Sequence, residues 1–317
     1  MILVCGIPSE TSLARVIEAL CRRELPHVVV NQRQVRDLAL ELRTGSSGLG
    51  GRLTGPGFGV DLDDVGGVYL RFMDDRRLPE LVGEPEDSPA RRSSRVLHDH
   101  IGHWAEHAEA RVVNRYGAMG SNFSKPFQSQ LLREAGFHVP ATLITNDPDR
   151  VDAFADEHGR LVYKSISGER SIVAALDRSD RERLERIRWC PVQFQAFVDG
   201  PNVRVHTVGD EVYATIVDTD AVDYRYASQQ AGQPARFSPF TLPDDVAERC
   251  VRFAASLGLE VAGLDLKFPS DGRVVCLEVN PSPVFSYFEA NTGQPIADAV
   301  ARLLTGSPAT RRHAAPV

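Results

Sequence analysis

Between Gly263 and Pro283 the chain reads GLDLKFPSDGRVVCLEVNPSP, two apolar runs on either side of a turn, with acids inside the runs. LDLKF and RVVCLEV are rich in large and β-branched apolar residues, and PSDG is turn chemistry, so the spacing predicts a β-hairpin. With a four-residue loop, Phe268 faces Arg273, Asp265 faces Cys276, and Glu278 lies on the neighbouring diagonal. Period-2 alternation then puts Asp265, Glu278 and Asn280 on one face, with Leu264, Leu266, Leu277 and Val279 on the other. Two carboxylates and an amide oxygen converging on a half-buried face repel one another unless a cation lies between them. All-oxygen ligation suits Mg²⁺, which is held by one or two carboxylates plus substrate phosphates. The same spacing also fits a surface hairpin with solvated acids.

At 317 residues the chain exceeds one ordinary domain, and two or three are expected. Apolar residues at 42% and charged residues at 25% are ordinary for a globular protein. A net charge of −7 argues against a nucleic-acid partner. Arginines at 71, 76, 77, 91, 92 and 95 are expected to lie on a solvated segment, with a local anion-binding patch as the other reading. The five cysteines, at 5, 21, 190, 250 and 276, are scattered and form no CxxC pair. That pattern points to reduced thiols in a cytoplasm and away from disulfides or a zinc site. MILVCGIP has no basic n-region, so it reads as a first strand rather than a signal peptide. No run approaches the roughly 20 apolar residues that cross a membrane.

Along the chain, residues 1–5 and HVVV at 27–30 read as strands around an amphipathic helix, TSLARVIEALCRREL, opened by Ser9 or Thr11. GSSGLGGRLTGPGFG at 45–59 reads as turns around short strands, and GGVYLRF as a further strand. Residues 74–95 look like a charged loop before a helix, RVLHDHIGHWAEHAEA, whose His100, His103 and His107 share one face. Such a face can bind zinc, but no further ligand accompanies it, and a solvated or interface face is the default. A helix starts near Lys125, VDAFADEHG is helical, RLVYKSI and PVQFQAFV are strands, and a charged helix covers 179–188. NVRVHTVGDEVYATIVD reads as a hairpin turning at Gly209–Asp210, in which Arg204 faces Thr215 and shares a face with His206. Helices over 243–257 and PIADAVARLL complete the α/β (α+β) pattern.

Lys164 ends an apolar strand and precedes a Ser/Gly loop, where a lysine can meet phosphate oxygens while loop amides cradle the chain. A half-buried Arg204 in mid-strand would need an anion. Lys125, Lys164 and Arg204, with Asp265, Glu278 and Asn280, make a complete inventory for a Mg–nucleotide.

The order of these pieces resembles the ATP-grasp superfamily over residues 112–305, and more loosely before them. The first lysine lies in SKPFQSQLLREAGFHVPAT and the second in LVYKSISGERS. VQFQAFVDGPNVRVHTVGDEV resembles the hinge strand, and the D…E-x-N order of the opening stretch is the superfamily's metal signature. Within it the chain is similar to ribosomal-protein glutamate ligases. It is closer still to peptide maturases that make ω-ester or ω-amide crosslinks (microviridin-like graspetide ligases), on VDYRYA and NPSPVFSYFEANTGQPIADAVARLL. The resemblance implies an ATP-grasp fold after an N-terminal α/β pre-ATP-grasp domain. Its bounds would be 1–112, a central subdomain at 113–193, a C-terminal subdomain at 194–305 and a tail at 306–317.

It also implies ATP and Mg²⁺ as cofactors, with Lys125, Lys164 and the loop residues Ser167 and Gly168 on the phosphates. Backbone at Gln195, Ala196 and Phe197 would receive the adenine, with Asn202 beside the ribose or phosphate. Asp265, Glu278 and Asn280 would hold the metal. Arg204 would stabilise the transferred phosphoryl group, and Tyr224, Arg225 and Ser282 would meet the substrate, Arg225 as a catalytic carboxylate clamp. Two positions depart from the family pattern: Ala196 stands where glutamate is frequent and Asn202 where aspartate is. The N-terminal domain is also shorter than in the peptide maturases.

The expected reaction forms an acylphosphate that an amine or hydroxyl then attacks, which needs no protein nucleophile. The expected substrate is a precursor peptide. A ligase joining free amino acids or a small carboxylic acid to an amine is the alternative, ahead of a phosphotransferase or a non-catalytic nucleotide-binding module. A homodimer, usual for relatives, is the expected assembly, with neither nucleic acid nor membrane as partner.

Overall fold

The structure is a computed structural model, described here over residues 1–45, 48–164 and 173–306, apart from the Phe123 side chain. Its N-terminal part is a parallel sheet of β1 (Ile2–Gly6), β2 (His27–Asn31), β6 (Gly67–Arg71) and β7 (Arg111–Val113), in the order β2-β1-β6-β7. β1 is buried along its whole length, as a parallel strand covered on both faces must be. Ile2 and Val4 point to one face, where helix α1 (Thr11–Arg22) packs; Leu3 and Cys5 point to the other, under helix α2 (Pro89–His107). A separate antiparallel sheet, β3 (Ala39–Gly45), β4 (Gly48–Gly55) and β5 (Phe58–Asp61), adds Leu53 and Val60 to that second core.

Three local expectations are corrected here. Helix α1 is capped by Glu10, whose carboxylate accepts from Leu13 N–H, and not by Ser9 or Thr11. Helix α2 begins at Pro89 with Ser88 as its cap, six residues before the sequence reading placed it. The arginines of this region divide: Arg76, Arg77 and Arg92 are exposed as expected, whereas Arg71 and Arg91 are drawn into ion pairs away from solvent. Arg71 pairs with Glu10, Arg91 and Arg95 share Asp75, and Arg76 pairs with Asp74.

The second part opens with α3 (Lys125–Glu134), followed by β8 (Thr142–Thr145), α4 (Pro148–His158), β9 (Leu161–Lys164), β10 (Ala174–Ala175), α5 (Arg178–Glu182) and β11 (Val192–Ala196). Its antiparallel sheet has the order β10-β9-β11-β8, and Val151, Ala155 and Ile187 pack on Leu161 and Phe194.

The third part contains β12 (Asn202–Val208), β13 (Glu211–Asp218), α6 (Ala227–Gln230), β14 (Arg236–Phe240), α7 (Asp244–Ser256), β15 (Val261–Lys267), β16 (Val275–Asn280), α8 (Ser286–Thr292) and α9 (Ile296–Thr305). Its five-stranded antiparallel sheet runs β14-β13-β12-β15-β16. One face of this sheet is core: Val203, Val205, Leu264, Leu266 and Val279 pack on Val246, Cys250 and Phe253 of α7 and Leu132 of α3. Helix α9 reaches from the end of this sheet, at Val208 and Val261, to the first one. Ile296, Ala297, Val300 and Leu304 join the N-terminal core against Ile2, Val4, Leu13 and Val16.

The β15–β16 hairpin departs from the expected register. Lys267 pairs with Val275, Leu266 with Cys276, and Asp265 with Glu278, so a bulge absorbs Leu277. The loop is therefore longer than four residues. Cys276 moves to the core face with Leu266 and Val279, and Asp265 lies directly opposite Glu278 rather than on its diagonal.

Candidate active site

The opposite face of the five-stranded sheet carries the chemistry. The β12–β13 hairpin turns at Gly209–Asp210, as the sequence implied, so Arg204 faces Thr215 on β13 and Asp265 on β15. With the bulge setting Glu278 beside Asp265, one row across three strands reads Arg204, Asp265, Glu278. The next row reads His206, Gly263, Asn280. Arg204 Nη1 donates to Asp265 Oδ1 at 2.9 Å, and Arg204 Nε donates to His206 Nε2 at 3.4 Å. Gly263 is what makes room for this guanidinium: a Cβ there would lie 2.1 Å from Arg204 Nη2.

Two lysines reach this face from outside the sheet. Lys125, at the first turn of α3, and Lys164, at the end of β9, place their Nζ atoms 3.4 and 3.7 Å from the same Glu278 oxygen. Lys125 also donates to Asn122 Oδ1 at 3.1 Å. Burial works to raise the pKa of Glu278, but Lys164, Lys125, Arg204 and Arg225 outweigh it and hold the carboxyl below its usual range. For Asp265 the balance tips the other way: burial raises its pKa despite Arg204. Lys164 is itself pushed down by burial, with Glu278 opposing.

Asn280 Oδ1 accepts from Ser282 N–H at 2.9 Å, which turns the chain after β16. Ser282 Oγ in turn accepts from Arg71 Nη1 at 3.4 Å, and Pro283 O from the same nitrogen at 3.1 Å. Tyr224 packs edge-to-face on Phe237 and Phe288. Arg225 turns its Nε and Nη2 onto Asp223, at 2.8 and 2.6 Å, so that edge of the fork already holds a carboxylate. Asp223 is buried and also accepts from Val173 N–H at 3.3 Å.

At the other end, Gln195 donates to Thr142 Oγ1 at 3.0 Å, Ala196 N–H to Ala141 O at 2.9 Å and Phe197 N–H to Arg160 O at 2.8 Å. A cavity of about 410 Å³ opens there, lined by Arg160, Phe197, Asn202 and Lys267 among others. Its lining includes neither Lys125, Lys164 nor Glu278. The guanidinium of Arg160 covers the Phe197 ring at 4.0 Å.

Lys125, Lys164, Arg204, Asp265, Glu278 and Asn280 are therefore brought together. Gln195, Ala196, Phe197 and Asn202 lie along the hinge end, and Tyr224 and Arg225 flank the arginine. Ser167 and Gly168 lie outside the described residues. His100, His103 and His107 are exposed on α2, and no group of three or more His, Cys, Asp or Glu among the described residues could hold a metal. The donor set beside Arg204 is two carboxylates and an amide, which fits a hard cation that takes its remaining ligands from phosphate and water.

Sequence reasoning missed two side chains that hold the face in place. Gln128 on α3, 1% exposed, accepts from Val279 N–H at 3.0 Å and donates to Val279 O at 2.9 Å, standing in for a missing neighbour strand. Asn114 accepts from Glu260 and Val261 N–H and donates to Val261 and Pro281 carbonyls. The available signal was a glutamine on the buried stripe of an amphipathic helix.

Cations facing carboxylates across two antiparallel sheets define the ATP-grasp class of ligases. Cys276, the thiol nearest them in sequence, is turned into the core, where burial raises its pKa far above the usual thiol range. The chain matches the RimK-like ATP-grasp domain over residues 124–304, more than half its length, and belongs to that family.

Similar curated proteins include the ribosomal protein bS6–L-glutamate ligase of Shigella flexneri serotype 5b (strain 8401), 31% identical over 183 residues. That match covers 55% of this chain and 60% of the relative. A probable alpha-L-glutamate ligase of Xylella fastidiosa (strain M12) is 27% identical over 219 residues, 62% of this chain and 71% of that one. Among solved structures, the ATP-grasp ligase PsnB, complexed with a phosphomimetic variant of minimal precursor, Mg and ADP, has a TM-score of 0.76 at 29% identity. The likeness covers 96% of this chain and 97% of PsnB. The macrocyclase MdnC of Microcystis aeruginosa MRC shares the fold, with a TM-score of 0.78 at 21% identity over 96% of this chain and 99% of that one. Helices long and apolar enough to cross a membrane are absent among the described residues.

Proposed function

We propose that this ATP-grasp ligase activates a side-chain carboxylate of a precursor peptide as an acylphosphate and closes it onto an amine or hydroxyl as an amide or ester crosslink. The observation that carries this reading is the closeness of the likeness to PsnB, a TM-score of 0.76 at 29% identity over 96% of the chain, N-terminal part included.

In this reading Lys125 and Lys164 leave Glu278 for the phosphates of ATP, and Asp265, Glu278 and Asn280 hold Mg²⁺. The metal supplies charge neutralisation at the phosphates. The chain's own contribution is positioning. Arg204, fixed on Asp265, stabilises charge on the transferred phosphoryl group and then on the tetrahedral centre. The substrate carboxylate attacks the γ-phosphorus and ADP leaves; the amine or hydroxyl then attacks the acyl carbon and phosphate leaves. Because Asp223 holds the Nε–Nη2 edge of Arg225, that guanidinium offers the substrate carboxylate its charge rather than the two-nitrogen clamp expected from the sequence. At the hinge, the N–H groups of Ala196 and Phe197 are committed to protein carbonyls, so adenine is to be met there by the remaining backbone groups and the Phe197 side of the cavity.

The sequence relatives favour a second reading, transfer of a free amino acid to an amine-bearing or protein acceptor. Mass spectrometry separates the two. Enzyme, ATP, Mg²⁺ and short Asp/Glu-rich peptides with Ser, Thr or Lys, taken from neighbouring genes, should lose one water per closure. A peptide that instead gains the mass of an added amino acid establishes the second reading.

A further inference from the structure

We propose that His206 is a positioning residue for Arg204: a neutral imidazole whose Nε2 takes the Arg204 Nε–H and fixes the plane of the guanidinium. This rests on the reading of Arg204 as the residue that meets the transferred phosphoryl group. His206 is fully buried, between Tyr213 on β13 and Gly263 on β15, and its ring meets that of Phe288 of α8 edge-to-face at 5.0 Å. With Nη1 on Asp265 and Nε on His206, two of the three guanidinium nitrogens are held. Nη2, above Gly263, has no hydrogen bond among the described residues and is the arm left for a ligand.

An acceptor at Nε2 puts the ring proton on Nδ1, and Nδ1 is buried without a hydrogen-bond partner. A buried donor left unpaired is a cost that a leucine or phenylalanine at this position would not carry. Burial and the adjacent Arg204 both hold the ring uncharged, so it can accept. A side chain kept at the expense of the core, with its accepting atom on the site arginine, is the mark of a residue retained for Arg204 rather than for packing.

Nitrogen-15 spectra of the wild-type enzyme test the geometry without reference to activity. His206 should show the Nδ1–H tautomer, and Arg204 Nε–H (assigned with Arg204→Lys) should exchange slowly. In His206→Phe, which keeps the ring against Phe288, that Nε–H should exchange about tenfold faster or more, while Tm holds or rises. In His206→Gln, whose amide oxygen reaches the position of Nε2, the slow signal should return. Turnover should follow the same order: kcat down about tenfold or more in the Phe variant at nearly constant KM for ATP, and largely recovered in the Gln variant. An Nε2–H tautomer in the wild type overturns the proposal, whatever the variants do. So does a Phe variant with wild-type kcat, or Gln and Phe variants that fall together with their Tm. Correct spectra on an enzyme that closes no peptide would sink the peptide reading alone.

Discussion

Gly263 shows how much of this site depends on an atom that is missing. The acids of the β15–β16 hairpin are legible in the sequence because carboxylates inside apolar strands are costly without a cation, so their spacing carries information. Gly263 carries none, since a glycine in a strand has many causes; only the guanidinium lying over its Cα reveals the reason. A methyl group there meets Arg204 Nη2 at 2.1 Å and must displace it. We expect Gly263→Ala to fold, because an arginine head can swing aside, and to lose about 100-fold in kcat, the scale of a displacement near 1 Å at a reacting group. Steady-state turnover beside a thermal melt checks it; a variant with wild-type kcat would show that Arg204 is not needed where it lies.

At the scale of elements, strands and helices were legible where their periodicity was long, and lost where a local rule was bent. The bulge at Leu277 could not be read, because Cys276 and Leu277 are both apolar and either phase gives the core a suitable residue. β14 has no counterpart among the expected elements; its Pro239 is a poor strand signal, tolerated because β14 is the sheet edge. At the other edge β16 borrows Gln128 from α3. Gln128→Leu strips partners from Val279 N–H and C=O, and each buried group left unpaired costs about 1–3 kcal/mol. Denaturant unfolding should show that loss, with turnover falling as well because Val279 lies between Glu278 and Asn280.

Helix α2 supplies a pH test. His98 stacks on Phe72 at 4.0 Å, and burial lowers its pKa from 6.5 to about 4 despite Asp99, Asp75 and Asp74. Between those values the unfolded chain binds the extra proton, so stability falls as pH drops through that window. The full effect is about 3 kcal/mol. His98→Phe should flatten this acid limb in melts taken from pH 7 to 4; an unchanged slope would mean that His98 is charged in the fold.

Across the whole molecule, the order of elements followed from the sequence, but the sharing of cores between its parts did not. PIADAVARLL reads as a closing helix, and nothing in its pattern says which sheet it closes. It returns to the first strand: Ile296, Val300 and Leu304 are buried against Ile2, Val4, Leu13 and Val16. Burial of three such side chains is worth about 1.5–3 kcal/mol each, comparable with a net stability of about 5–15 kcal/mol. A chain stopped at Pro295 should therefore lose its N-terminal core together with the helix. Calorimetry should find no cooperative transition for the N-terminal part; an intact one would mean that this core stands alone.

The grip of Lys125 and Lys164 on Glu278 gives the cleft a counter-ion reservoir of its own. Nucleotide arriving in the proposed site without metal would pull both lysines away from a half-buried carboxylate, whereas nucleotide arriving with Mg²⁺ would bring a cation to replace them. In the proposed site the exchange is nearly charge-neutral only for the metal complex, so the resting ion pairs act as a gate against bare ATP. Glu278→Gln should open that gate: calorimetric titration without Mg²⁺ should show tighter nucleotide binding than in the wild type, in a variant that no longer turns over. Equal binding by the two proteins would mean that the lysines are not held in reserve.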